Sequence, residues 1–245
     1  MIEIKNKTHI QRLFADKLPL SDLWHAVFYA GYRGDIKHIP FYYSVTHGHS
    51  AVSDLSISLE EILGSMKSNT RNEIRRAERE GIEFEANVSF DEFVPYYNAF
   101  AESKGLEDRV NLKRLTKYDK TIITKATHNG ITLAMHATVV NMEQKLAFLL
   151  FSCSPRLDAD VDKKMIGWGN RFLHYKDFEY FTSIGIETYD WSGICTDPEN
   201  PKYSIGQFKL SFGGTLIDSY VLKSPIYVVL ERMREIATGL FRKNK

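Results

Sequence analysis

Lys164-Met165-Ile166-Gly167-Trp168-Gly169-Asn170 follows an apolar run and opens a stretch whose spacing predicts a long helix over residues 164–183, stopped near Gly185. Two glycines where a strand gives way to a helix let the backbone approach a ligand closely. The free amides and dipole of a helix start attract a phosphate or pyrophosphate. With Lys163 and Lys164 supplying positive charge, the segment predicts an anion site built from Lys163, Lys164, Gly167, Trp168, Gly169 and Asn170. The competing reading is a glycine pair that eases helix packing.

Working outward, residues 146–154 are nearly all apolar, as expected for an interior strand. Before them, residues 121–126 and 131–140 read as strands flanking His128-Asn129-Gly130, and an Asn-Gly pair is a strong hairpin signal. A polar loop over 155–162 leads into the helix, and Glu187-Thr188-Tyr189-Asp190-Trp191 reads as a further strand ending at Ser192-Gly193. Residues 221–227 give a last extended piece and 230–241 a terminal amphipathic helix.

Upstream, residues 39–59 read as strand, turn, strand, broken at His47-Gly48-His49. Ser58-Leu59-Glu60-Glu61 forms a capping box that starts a helix running to Gly81, with a short strand over 82–86 and helices over 90–104 and 112–118. The order predicts an α/β fold on one mixed, mostly antiparallel sheet flanked by helices.

The bulk composition narrows the function classes. The chain has 245 residues, 43% of them hydrophobic and 26% charged, enough for a sizeable core. Formal net charge is +1, from 32 basic and 31 acidic residues, so the whole-molecule field argues against a dedicated nucleic-acid binder and against DNA as a partner. Neither the start, Met1-Ile2-Glu3-Ile4-Lys5, nor the longest apolar run, 146–151, resembles a signal peptide or a membrane span of roughly 20 residues. The expectation is a cytoplasmic protein with Cys153 and Cys195 as free thiols and Cys153 packed in a strand.

Several side chains are candidates for chemistry. His136 lies in the strand over 131–140, and Asp190 ends a strand, where α/β sheets place ligand contacts, between Tyr189 and Trp191. The bland reading of Asp190 is a turn cap. Lys209 is a cation in an apolar stretch, read either as a substrate contact or as a snorkelling strand lysine. Arg71 and Arg75 stand at i, i+4 and could grip an anion. His47-Gly48-His49 shows two imidazoles without a carboxylate partner in sequence, and no metal site is expected. The terminal helix suggests at most a peripheral membrane contact.

Lys164-x-x-Gly167-x-Gly169 resembles the acyl-CoA pyrophosphate loop of the GNAT acyltransferase superfamily, with lysine in place of the usual Gln or Arg. Three further pieces are similar to the Fem-type branch, whose members act in cell-wall and surface-polysaccharide assembly. They begin Ser68-Asn69-Thr70-Arg71, Gly185-Ile186-Glu187-Thr188 and Ile205-Gly206-Gln207-Phe208, and together they span most of residues 55–220. The resemblance implies a GNAT-like fold with an abbreviated N-terminal GNAT-like unit at 1–85 and an acyltransferase domain at 86–245.

It also implies an N-acyltransferase moving an acyl group from acyl-CoA to an amine by direct attack in a ternary complex. The acceptor would be an amino sugar on a nucleotide or lipid carrier, or another cell-surface precursor. His136 and Asp190 would be the catalytic candidates, and Arg71, Arg75, Tyr189, Trp191 and Lys209 would contact substrate. Two alternatives stand beside it. One is an aminoacyl-tRNA-dependent Fem-type transferase, disfavoured by near-zero net charge and the lack of a coiled-coil arm. The other is a non-catalytic module on the same scaffold.

Overall fold

A computed structural model of the protein describes residues 1–155 and 162–243, with side chains as far as residue 237. The expected polar loop at 155–162 lies almost wholly outside the described residues. Among those described there are ten strands and seven α-helices. The first half contains β1 (Ile2–Lys5), β2 (Ile10–Leu13), β3 (Val27–Tyr32), β4 (Ser44–Asp54), α1 (Leu59–Ser65), α2 (Ser68–Arg79), β5 (Glu83–Ala86), α3 (Phe90–Ser103) and α4 (Leu112–Thr116). The second contains β6 (Thr121–His128), β7 (Ile131–Asn141), β8 (Leu146–Cys153), α5 (Lys163–Ser183), β9 (Thr188–Ile194), α6 (Tyr203–Leu210), β10 (Thr215–Lys223) and α7 (Pro225–Lys243).

Local signals account for many of these ends. Ser58 accepts from the Glu61 amide while Glu61 accepts from the Ser58 amide, the reciprocal capping box at the start of α1. Asn129 and Gly130 have φ of 50° and 77°, the pair of left-handed residues that a tight hairpin requires, and they set the β6–β7 register at His128↔Ile131. Gly81, at φ 72°, lets the chain leave α2.

The chain divides into two compact units. The first comprises Met1–Ser50, Gly193–Cys195 and the chain from Ile217 onward; the second comprises Ala51–Ser192 and Thr196–Leu216. In the first unit β1 pairs antiparallel with β2, β2 runs parallel to β3, and β3 pairs antiparallel with β10. Val27, Tyr29, Tyr32, Tyr43 and Leu222 build its core. Within it Arg12 grips Asp22 through two hydrogen bonds of 2.8 and 2.9 Å, and the Tyr29 hydroxyl donates to the same carboxylate.

The second unit carries the order β9-β8-β7-β6-β5, parallel only between β8 and β9 and antiparallel elsewhere. Residues 133–140 of β7 are all buried, because helices cover both faces. Phe93, Tyr97 and Ala101 of α3 pack with Met135, Ala137 and Phe151, whereas Ala77 of α2 and Ile166, Phe172 and Leu173 of α5 pack with Ala126, Leu133 and Ala134. The sheet is mixed and mostly antiparallel, as the sequence predicts.

Four expectations about single elements are corrected. The strand, turn and strand at 39–59 contain one continuous strand, β4: Gly48 has no left-handed φ, so His47-Gly48-His49 extends the strand rather than breaking it. The single helix ending at Gly81 is two, because Met66 and Lys67 are extended between α1 and α2. The extended piece at 221–227 stops at Lys223; Pro225, whose φ suits a first helical position, begins α7 there, with the Ser224 hydroxyl accepting from the Tyr227 amide. Lys209 lies on a helix, α6, where Tyr203, Phe208 and Leu210 are only partly buried, and not on a strand. The division expected after residue 85 falls inside the second unit, where β5 pairs with β6.

Candidate functional site

Parallel pairing of β8 with β9 runs through Leu146↔Thr188, Ala147↔Tyr189 and Phe148↔Asp190 and goes no further, although β8 continues to Cys153 and β9 beyond Asp190. Beside the unpaired stretch lies a cavity of about 550 Å³. Leu149, Ser152 and Cys153 of β8 and Trp191 of β9 line it, with Asn170, Arg171 and His174 of α5 and Ser204, Ile205, Phe208 and Lys209 of α6. Phe100 and Lys104, at the end of α3, complete the wall with Ser154.

Lys209 is a partly buried cation in this wall. Its Nζ donates to the Trp191 carbonyl at 2.7 Å. Burial lowers its pKa to about 8, with attraction to Asp190 opposing the shift. Its ammonium is thus poised to lose a proton just above neutrality. Arg171 stacks its guanidinium 5.1 Å from the Phe208 ring and pairs with Glu73 at 2.9 Å.

His174 stacks 4.1 Å from His136 and 4.6 Å from Trp191. Burial first, then the charges of His136, Lys209 and Arg171, hold its pKa well below the ordinary histidine range, so the imidazole is neutral at physiological pH. His136 is fully buried. Its Nδ1 lies 2.6 Å from Asp177 Oδ2 and its Nε2 lies 3.4 Å from Asn170 Oδ1. A neutral His136 that donates to Asp177 through Nδ1 leaves Nε2 an acceptor, which pairs with Asn170 when the amide is turned so that Nδ2 rather than Oδ1 faces the ring.

The structure distributes the expected residues unevenly. Asn170, Trp191 and Lys209 share the cavity wall. His136 stands behind it, one hydrogen bond from Asn170. Asp190 is buried and its Oδ1 accepts from the Ser192 amide at 2.7 Å, the turn-capping geometry. Tyr189 is fully buried against Phe178, Phe181 and Trp191. Arg71 donates to the Gly64 and Met66 carbonyls and ties α1 to α2, and Arg75 is exposed on α2; neither lines the cavity.

Gly167 and Gly169 lie within α5 rather than in a loop ahead of it, so the helix itself engages their amides. A Cβ on Gly169 would come within 2.7 Å of Leu133, so this glycine sets how closely α5 approaches β7. The amides at the exposed start of the helix belong instead to the turn that begins at Lys163 and Lys164, where Asp162 caps Lys164 at 2.9 Å. Trp168 is half-buried, with the Arg76 guanidinium 5.2 Å from its ring.

His174 and Asp177 are the functional candidates that the sequence reading passed over. Asn170, His174 and Asp177 are spaced i, i+4, i+7, one helical face, and that spacing was the available signal. No described helix is long and apolar enough to cross a membrane.

No protein-family model and no curated protein matches the sequence. Among solved structures, FemX superposes with a TM-score of 0.63 at 10% identity, over 89% of this chain and 82% of FemX. The C-terminal domain of a protein described as a lysylphosphatidylglycerol synthetase from Agrobacterium fabrum gives 0.59 at 14% identity, over 81% and 67%. L-PGS from Bacillus licheniformis gives 0.58 at 12% identity, over 91% and 80%. At these identities the likeness is one of fold, and it agrees with the parallel β8–β9 pair that parts beside a cavity: the chain has a Fem/GNAT-like fold.

Proposed function

We propose that the protein is a GNAT-like transferase that moves an acyl group to an amine. The observation that carries this reading is the parting of β8 and β9 beside a 550 Å³ cavity, because GNAT enzymes seat their donor where two central strands splay. Acyl transfer from a thioester needs a polarised carbonyl, a deprotonated amine and a proton for the leaving thiolate. Lys209 supplies a partly desolvated cation that can polarise a carbonyl and, with a pKa near 8, can exchange a proton near neutrality. Apolar Leu149, Phe208 and Trp191 accommodate an acyl chain, while Asn170 and Ser152 offer hydrogen bonds.

Acyl-CoA is the donor this reading favours. Its pyrophosphate would meet the first turn of α5 at Lys163 and Lys164, both exposed. The acceptor is an amine of the amino-sugar class, attacking directly, since Cys153 is buried with its thiol pKa pushed far up by burial and so is unsuited to act as a nucleophile.

A second donor, aminoacyl-tRNA, is favoured by one observation: the similar folds include a domain described as a lysylphosphatidylglycerol synthetase, which by name produces an aminoacylated lipid. A thermal-shift titration with acetyl-CoA and longer acyl-CoAs separates the two. A saturable rise in melting temperature supports acyl-CoA. No rise with any CoA, together with tRNA binding that weakens steeply with salt, moves the assignment to the aminoacyl donor.

A further inference from the structure

His47 and His49 are two residues apart on β4, so both imidazoles stand on one face of the strand. Asp218, on β10, meets them there. His47 Nε2 lies 2.8 Å from Asp218 Oδ1 and His49 Nε2 lies 3.8 Å from the same oxygen. The Tyr220 ring packs 5.0 Å from the His47 ring and limits its rotation. All three residues belong to the first unit and all are accessible, with side-chain exposures of 50% for His47, 29% for His49 and 63% for Asp218.

We propose that His47, His49 and Asp218 form a binding site for a divalent transition metal, with Zn²⁺ as the ion that suits the donor set. Two imidazoles and one carboxylate are a zinc ligand set that leaves a fourth position for water. Ligand atoms about 2.0–2.1 Å from a tetrahedral ion stand about 3.3 Å apart, a value bracketed by the observed 2.8 and 3.8 Å. The two rings are inclined at 61° with centroids 4.9 Å apart, and the ligand atoms of the three side chains all lie within 4.8 Å of one another. The other cluster of this composition among the described residues, His136, His174 and Asp177, is buried, with its two rings stacked at 33° and 4.1 Å.

Zinc would take the place of the His47–Asp218 hydrogen bond and fasten β4 to β10 through three side chains. Exposure to water and the missing fourth protein ligand make this a moderate site rather than a permanent structural zinc.

The test uses the full chain without a polyhistidine tag, titrated with Zn²⁺ against a chromophoric chelator and melted with and without the ion. One Zn²⁺ per chain is expected, with a rise in melting temperature. His49→Gln and Asp218→Asn should each weaken binding by about tenfold or more, since each removes one of three ligands. His38→Gln, an exposed histidine beside Asp35, should leave it unchanged. Zinc binding weaker than about 1 mM, or binding that survives both ligand substitutions in chains whose circular dichroism matches wild type, overturns the assignment.

Discussion

Lys209 Nζ and the main-chain carbonyl of Trp191 are joined by a 2.7 Å hydrogen bond, which fixes an ammonium against the cavity wall between α6 and β9. Holding a charge there has a cost that depends on pH. The unfolded chain keeps the lysine proton to about pH 10.4, whereas the folded chain releases it near 8 because burial disfavours the ion. Between those values the unfolded state binds more protons, so this group's contribution to stability rises with pH. In Lys209→Met that contribution is absent. The melting-temperature difference between variant and wild type should move in wild type's favour from pH 7 to pH 10; a difference that stays constant would remove burial as the cause of the shift.

Ser152 faces the same cavity from the part of β8 that has parted from β9. Replacing it with Leu adds apolar bulk where the donor's acyl group is proposed to lie. Acyl-CoA should then lose most of its thermal shift, by about tenfold or more in apparent affinity, if the donor fills this space. An unchanged shift would locate the donor elsewhere.

Two helical glycines make opposite predictions. At Gly169 a Cβ would press within 2.7 Å of Leu133, so Gly169→Ala should cost about 1–3 kcal/mol of overpacking, offset by about 1 kcal/mol of helix propensity. At Gly64, in α1, nothing lies within 4 Å, and Gly64→Ala should stabilise by about 0.5–1 kcal/mol. Denaturant unfolding of the pair measures both. If Gly169→Ala is as stabilising as Gly64→Ala, α5 can move away from β7 freely.

In the first unit, Asp22 is 1% exposed and accepts from both Arg12 and Tyr29. Asp22→Ala leaves the buried Arg12 guanidinium with Glu3 as its carboxylate partner. The loss should be about 3–5 kcal/mol, the range for breaking a buried pair by deleting one partner. A loss below about 1 kcal/mol would mean that water reaches Arg12 in the variant.

The sequence was most legible where a local rule fixes the backbone. Asn129-Gly130 set one hairpin, Ser58 and Glu61 set one helix start, and the apolar run before Lys164 marked β8. Gly48 misled because glycine permits a turn without requiring one, and here neighbouring strands keep it extended. The site was only partly legible. Asn170, Trp191 and Lys209 come together because β8 and β9 part, a feature of pairing that no residue type announces. Gly169 turned out to answer to Leu133, a neighbour on another element. Asp218 lies 171 residues from His47, so the carboxylate that completes the histidine pair is visible only once the chain is folded.

The first unit draws on chain segments at both ends of the sequence: Tyr32 pairs with Tyr220, and Phe28 with Lys223. The second unit needs nothing beyond Leu216. On the ribosome, β3 must therefore wait with one edge unfilled until β10 emerges, while β5 to β9 can already be assembled. Loop closure over so long a separation is slow, and an exposed strand edge is prone to wrong pairing. The vulnerable interval in this protein's synthesis runs from the emergence of Tyr32 to that of Thr215, and the residues at risk during it are those on the open edge of β3.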